Sequence, residues 1–435
     1  MNKKQTDVLV VGFALFAMFF GAGNLIFPPY LGVIAGDKWM LAMLGFLITG
    51  IGLPLMGIVA VATSGTSIND LADRVHPKFG AILGTVIMII IGPLFAIPRT
   101  AATTFEIAVR PIAPGANNLI FILIFFAITL YFAIKPASVV DNIGKILTPV
   151  LLIVLLIIIA KGVITPVGDM AALTEAATFP KGFTEGYQTM DALGSVILAG
   201  IVINSIIAKG YTEKSETVSM AIKAGIVAAL GLSVVYVGLM FVGAGMSSTF
   251  DGTVERTTLI ITMTETLLGG VGKYALGVTV GLACLTTSIG LTSAAGDYFS
   301  GITNGKLSYK MVAISTVVIS AIIASMGVEK IISFSVPILC LSYPVVIVLI
   351  VMSVTLGKVV KSRAPFAGAV LGAFLVSFVD FLIGMGAQSP ILLSIQSSMP
   401  FAAAGFGWIV PTIILAIIFA LFDKMRQKQV ASDNA

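Results

Sequence analysis

Apolar residues in this chain fall in long runs, separated by short polar connections that carry most of the charge. About twenty consecutive apolar residues, wound as a helix, cross the hydrocarbon core of a bilayer. Twelve such runs can be drawn, at 8–34, 39–63, 78–108, 117–134, 143–163, 186–208, 217–246, 270–300, 310–326, 330–356, 366–386 and 404–423. The pattern predicts an all-α polytopic membrane protein with about twelve transmembrane helices.

Two runs break their own pattern. Run one holds Phe19-Phe20-Gly21-Ala22-Gly23-Asn24-Leu25-Ile26-Phe27-Pro28-Pro29, about a dozen residues in. At roughly 1.5 Å per residue this is about half a bilayer core. Paired glycines, an Asn and two prolines make a continuous helix costly there. Unwound backbone inside a membrane must be buried in protein or line a polar cavity. The run therefore reads as a broken helix, whose outer half opens with the N–H groups of Ala22, Gly23 and Asn24. Such an end is the positive pole of a helix dipole and attracts a carboxylate. A plain Gly/Pro packing kink is the alternative.

Run six repeats the anomaly. Its uninterrupted apolar part, residues 196–208, is too short to cross, so the crossing must include Tyr187-Gln188-Thr189-Met190-Asp191-Ala192-Leu193-Gly194-Ser195. Interruptions in the first and sixth runs point to an inverted-repeat transporter. Residues 1–164 then form the first five-helix repeat and 186–356 the second. Residues 357–435 hold two additional C-terminal spans and a cytoplasmic tail, expected to be disordered after residue 423. Run eight carries a third polar cluster, Ala283-Cys284-Leu285-Thr286-Thr287-Ser288-Ile289-Gly290-Leu291-Thr292-Ser293. Hydroxyls in membrane helices often bond back to their own carbonyls. This many exceed that need, and neutral oxygens suit a hard cation such as sodium.

Composition agrees with the pattern: mean hydropathy is +1.08 over 435 residues, with 58% hydrophobic and 10% charged residues. The net charge of +5 is scattered between runs, which argues against a nucleic-acid surface. If both termini are cytoplasmic, seventeen of the 25 Lys and Arg, Lys135, Lys145 and Lys428 among them, lie inside and seven outside, with Arg99 in the membrane. That asymmetry is the positive-inside signature. Cys284 and Cys340 both sit in apolar runs and offer no disulfide framework.

Other polar residues are weighed one by one. Arg99 and Glu106 are seven apart in run three, on one face of an ideal helix, and an intramembrane ion needs a partner. They read either as functional groups or as a structural tie to each other. The single histidine, His76, precedes Pro77 in a cytoplasmic connection and reads as a surface residue. Residues 164–185, with Glu175 among their charges, form the longest external connection. Pro337 and Pro344 mark run ten as a kink or gate, and Asp380 in run eleven has no assigned role.

The motifs Phe19–Pro29, Gly92–Ala101 with its Pro-Arg-Thr, and Tyr187–Ser195 resemble the branched-chain amino acid permeases of the BrnQ type (the LIVCS family), nearly end to end. Gly21-Ala22-Gly23-Asn24 with Ala283-Cys284-Leu285-Thr286-Thr287 is also similar to the leucine-transporter (LeuT-type) fold, a 5+5 inverted repeat with helices one and six broken. The resemblance implies a sodium ion held by the carbonyls of Ala17, Phe20 and Ala283 and the hydroxyls of Thr286 and Thr287. It implies a substrate carboxylate at the N–H groups of Ala22 and Gly23, with Asn24 serving a second ion or propping the break open. The substrate site then comprises Gly21, Ala22, Gly23, Asn24, Arg99, Thr100, Thr189, Asp191, Gly194, Ser195 and Ser288. An outer-gate Arg shortly after the Gly-Asn is missing, since Leu25-Ile26-Phe27-Pro28 follows; Arg99 is its candidate substitute.

The expected function is import of Leu, Ile or Val by a secondary symporter of the bacterial cytoplasmic membrane. Sodium is the coupling ion, no cofactor is needed, and membrane lipid is a further partner. A proton-coupled symporter using Asp191 or Glu106 as relay is the rival; such relatives often carry a mid-span Lys in run five, which is absent here. An enzyme is disfavoured, because no nucleophile–base or metal constellation can be drawn.

Overall fold

The computed structural model describes residues 3–134, 138–172 and 179–433, the side chains of 138–148, 428 and 430–433 excepted. Lys135 and Glu175 lie outside the described residues, as do the first and last two residues of the chain and the side chains of Asp141, Lys145 and Lys428. Among the described residues the structure is helical, with no strand.

Every apolar run is met by helix, and the interruptions follow backbone chemistry. Run one is two helices, Lys3–Phe19 and Ala22–Ala35. Run two is Trp39–Leu47 and Leu53–Ser64, joined by a π turn at Ile48–Gly52. Run three passes through Phe79–Ile89, a π turn at Ile90–Leu94, Ala96–Thr104 and a second π turn at Phe105–Val109. Pro93, which has no N–H to donate, lies in the first of these turns, after a non-helical Gly92. Runs four and five are Asn118–Ile134 and Ser138–Ile164. Run six is Phe179–Glu185, a 3-10 turn at Gly186–Thr189, and Asp191–Ala208.

Lys214–Ala244, Tyr309–Ala324, Val328–Thr355 and Ala364–Gly384 answer runs seven, nine, ten and eleven. Among the described residues, seven helical stretches are long and apolar enough to cross a membrane. The halves of run one, 17 and 14 residues long, are each short for a crossing, as a broken span requires.

Two expectations need correction. Run eight begins fourteen residues earlier than its apolar stretch, as part of Arg256–Ile302, bent at Gly269 where φ is 66°. A glycine takes that left-handed turn without strain, so polar residues can join the helix ahead of the bend. The tail after residue 423 is not irregular: the last helix runs Ile409–Asp433, with no Gly or Pro after Pro411 to stop it. Pro337 and Pro344 both lie inside the helix of run ten.

The chain packs as two compact units. The first comprises Met1–Ile51, Met88–Met190 and Ile226–Phe334, the second Gly52–Ile87, Asp191–Gly225 and Ser335–Ala435. In the first unit, glycines bring helix backbones together. A Cβ on Gly32 would lie 2.1 Å from the Met240 carbonyl oxygen, and one on Gly243 2.1 Å from that of Pro29. Gly45 and Gly182 do the same for Trp39–Leu47 and Phe179–Glu185, at 2.2 Å from the Phe179 oxygen and 1.8 Å from the Ala42 oxygen. Lipid tails are as apolar as side chains, so close packing across small residues drives helix association in a membrane. An apolar cluster of Ile97, Ala101, Ile122, Phe125, Phe126 and Val317 joins runs three, four and nine.

In the second unit Gly57 abuts Ser195, and Gly368 and Gly372 let the helix from Ile409 approach Ala364–Gly384. Arg74 donates to the Gly357 carbonyl (3.0 Å) and lies over the Phe366 ring. Asp380 accepts from Gln396 Nε2 at 2.7 Å, which ties the short helix Pro390–Ser398 to run eleven.

Candidate functional site

The helix of run one stops because Gly21 turns extended, at φ −123° and ψ −169°, one residue after the Phe20 N–H makes its bond to Phe16. Asn24, third residue of the new helix, reaches back and accepts the Gly21 N–H on Oδ1 at 3.0 Å. This is the reciprocal half of a capping box, and it holds the break in one geometry. Asn24 Nδ2 donates to the hydroxyl of Tyr236, whose ring meets Phe46 edge-on, 5.3 Å between centroids. The first-turn N–H groups of Ala22 and Gly23 have no acceptor within their own helix.

Arg99 comes to the same end from run three. It is 3% exposed, and a Cβ on Gly23 would lie 2.7 Å from its Nη2. Its guanidinium also sits 5.2 Å from the centre of the Phe27 ring. A helix N-terminus and a guanidinium side by side form a locus that favours a planar anion such as a carboxylate. Thr100, also buried, donates to the Ile97 carbonyl at 2.6 Å.

The tie between Arg99 and Glu106 is not formed. Glu106 Oε2 accepts the Thr257 hydroxyl at 2.6 Å, and Oε1 accepts the N–H of Val328 at 3.0 Å, capping the helix Val328–Thr355. Glu106 lies at the start of the Phe105–Val109 π turn, and its carboxylate is taken up by these partners from other segments.

From run eight, the hydroxyls of Thr286 and Thr287 both donate to the Ala283 carbonyl, each at 2.9 Å. Ala283, Thr286 and Thr287 thus gather three oxygens, and each hydroxyl keeps lone pairs for a cation. The Thr287 methyl lies 3.9 Å from where a Cβ on Gly21 would be, so this cluster faces the break. Phe20 stacks on Phe16 at 5.4 Å, and Ala17 lies half-buried one turn before the break. Ser288 turns to run four, its buried hydroxyl 3.2 Å from that of Thr129. Among the described residues, no group of three or more His, Cys, Asp or Glu could hold a metal ion.

Run six breaks at Met190, which is left-handed at φ 61° and ψ 10°. Its N–H bonds to the Tyr187 carbonyl at 3.0 Å, and the Thr189 hydroxyl bonds to that of Gly186 at 2.9 Å. Thr49, in the π turn of run two, donates to the Phe183 carbonyl at 2.9 Å and fills the space beside Gly186. Asp191, buried, then opens the helix Asp191–Ala208, where an acid suits the positive pole. Ser195 donates to the Ala192 carbonyl at 2.8 Å, and Gly194 has room beside it. The first unit holds Gly21 to Asn24, Arg99, Thr100, Thr189, Ser288 and the five ion-ligand candidates, while Asp191, Gly194 and Ser195 belong to the second.

Tyr236, Thr49 and Arg256 were not among the sequence candidates. The Arg256 guanidinium lies 3.8 Å above the Tyr30 ring and 5.5 Å from Phe27. It pairs with Glu329 at 2.5 Å and Glu185 at 3.8 Å, joining runs one, six and ten. The only available signal was a lone aromatic or charge in a long apolar or polar stretch, which does not reveal a distant partner.

A helical membrane protein whose first and sixth runs are both interrupted belongs to the class of transporters with discontinuous helices. Solved structures agree on this LeuT-type fold. The chain is similar to Mhp1, a nucleobase-cation-symport-1 family transporter, in a closed conformation, with TM-score 0.65, 13% identity and coverage of 95% of this chain and 92% of the other. It is also similar to MhsT in complex with L-phenylalanine, with TM-score 0.52, 17% identity and coverage of 95% and 97%. The family model described as branched-chain amino acid transport protein matches residues 4–426, and the chain belongs to that family. The branched-chain amino acid permease BraB of Bacillus subtilis (strain 168) is 43% identical over 421 residues, covering 95% of this chain and 94% of the relative.

Proposed function

We propose that this protein imports leucine, isoleucine and valine together with sodium across the bacterial cytoplasmic membrane by alternating access. The observation that carries this reading is the run-one break, where the Arg99 guanidinium lies against Gly23, and Thr287, which shares the Ala283 carbonyl with Thr286, lies against Gly21. The substrate carboxylate would meet the N–H groups and Arg99. Sodium would sit on the oxygens of Ala17, Phe20, Ala283, Thr286 and Thr287, bridging the break to run eight. Thr100, Thr189 and Ser288, in the same unit, complete the proposed lining.

The same reading takes twelve spans with both termini cytoplasmic, a 5+5 repeat at 1–164 and 186–356, and two further spans after 357. The repeats describe symmetry of the chain and the compact units describe packing, so the two divisions need not coincide. Proton coupling is the second reading, favoured by the burial of Asp191. Glu106 is a poor relay, with both oxygens already bonded.

Uptake of labelled isoleucine into proteoliposomes, under a sodium gradient, a proton gradient or neither, separates the two. Sodium-dependent uptake blocked by excess leucine and weakened by Thr287→Ala supports the first reading. Uptake driven by protons alone overturns the sodium site.

A further inference from the structure

We propose that Tyr236 is the positioning residue of the run-one break. The Gly21 N–H can only be met by an acceptor, which commits Asn24 Oδ1 to it. The Asn24 amide, itself buried, then has its NH2 left to place, and a buried donor that loses a partner is costly. The Tyr236 hydroxyl, fully buried, meets it. Without that hydroxyl Asn24 has reason to turn, and the Gly21 N–H loses its acceptor.

Tyr236 is itself held. Its ring packs on Phe46 and beside Gly50, where a Cβ would lie 3.3 Å from Phe46 Cε1 and 3.7 Å from Tyr236 Cε2. Gly50 belongs to the same π turn as Thr49, whose hydroxyl bonds the Phe183 carbonyl just ahead of the run-six break. One π turn of run two therefore supports Tyr236 on one side and the lead-in to Met190 on the other. The two interruptions are braced from a common point, all within the first unit. The effect on transport rests on the proposed function, since it takes the break as the carboxylate locus; the effect on backbone geometry does not.

The test uses the full-length protein in nanodiscs and proteoliposomes. Tyr236→Phe keeps the ring and its packing and removes only the hydroxyl. Hydrogen–deuterium exchange in peptides covering residues 16–27 is expected to quicken about tenfold, as for loss of one hydrogen bond. The KM for isoleucine is expected to rise about tenfold with kcat within about twofold, a split that general loss of stability would not give. Asn24→Ala should show the same signature, and the double variant should be no worse than Asn24→Ala alone. Unchanged exchange and KM in Tyr236→Phe, or additive effects in the double variant, would overturn the proposal. If Tyr236→Phe quickens exchange but the wild type takes up no isoleucine, positioning stands and the substrate reading falls. Should Tyr236→Phe fail to fold, Phe46→Leu loosens the ring and keeps the hydroxyl; normal exchange at 16–27 in that variant would count against the brace.

Discussion

At the run-one break the backbone stays in ordinary territory, with Gly21 extended and Asn24 folding back to cap it. At the run-six break Met190, a residue with a side chain, is turned left-handed after a 3-10 turn. Such a conformation costs roughly 1–2 kcal/mol for an L-residue, so the surroundings must impose it. Here they do so through Gly182 against Ala42, Gly186 against Thr49, and the hydroxyls of Thr49 and Thr189. The first break is written locally and needs tertiary contacts only to hold its cap. The second is made by its packing.

That contrast predicts where each break is fragile. The largest effect belongs to Gly182→Ala, whose Cβ would lie 1.8 Å from the Ala42 carbonyl oxygen, a backbone atom that cannot step aside. Little monodisperse protein is expected by size-exclusion chromatography; normal yield would show that the lead-in to Met190 is not set by this contact. Gly23→Ala comes next, because its Cβ displaces the Arg99 guanidinium rather than backbone. Folded protein with isoleucine uptake lowered on the order of 10²-fold is expected, as for a binding group moved by about 1 Å. Gly21→Ala, in the same motif, meets nothing closer than 3.7 Å and should keep uptake within about threefold. Equal losses in the two variants would erase the distinction between them.

Gly186→Ala brings a Cβ to 1.9 Å from Thr49 Oγ1. It should cost about 1–3 kcal/mol by overpacking, read as a lower thermal midpoint, and Thr49→Ala should restore part of it.

The smallest effect lies in the connection between runs two and three, where Ser67 and Asp70 repeat the capping device of Asn24 outside the membrane. The Asp70 carboxylate accepts the N–H groups of Thr66 and Ser67 at 2.8 and 2.9 Å. Partial burial alone would raise its pKa, but these bonds and the Ser67 hydroxyl outweigh burial and hold it below the usual value. A lowered folded pKa gives stability that is full above the unfolded value of about 4 and lost as pH falls through the folded value. Asp70→Asn should therefore cost about 1 kcal/mol near neutral pH and flatten the acid side of a thermal-stability profile below about pH 4. A profile unchanged by the substitution would show that the cap contributes nothing.

How legible each part was follows from the range of the interactions behind it. The all-helical, membrane-spanning character was readable because bilayer thickness fixes how long an apolar helix must be. The run-one break was readable because Gly21, Gly23 and Asn24 penalise a helix over four residues. That the hydroxyls of Thr286 and Thr287 meet the Ala283 carbonyl was readable because a helical turn brings neighbours in sequence together. Met190 carried no such sign, since nothing in a methionine foretells a positive φ. Glu106 misled because its spacing from Arg99 says nothing of Thr257 and Val328, the distant partners its oxygens meet.

By itself, then, the order of residues determined which segments are helical, where two of them cannot continue, and which polar groups are too costly to leave unmet. Only the tertiary structure decided which group meets which. Asn24 and Tyr236 are 212 residues apart, and Arg256 and Glu329 are 73 apart. A buried donor must find some acceptor, which is a local demand; the acceptor it finds depends on which helices glycine contacts allow to approach.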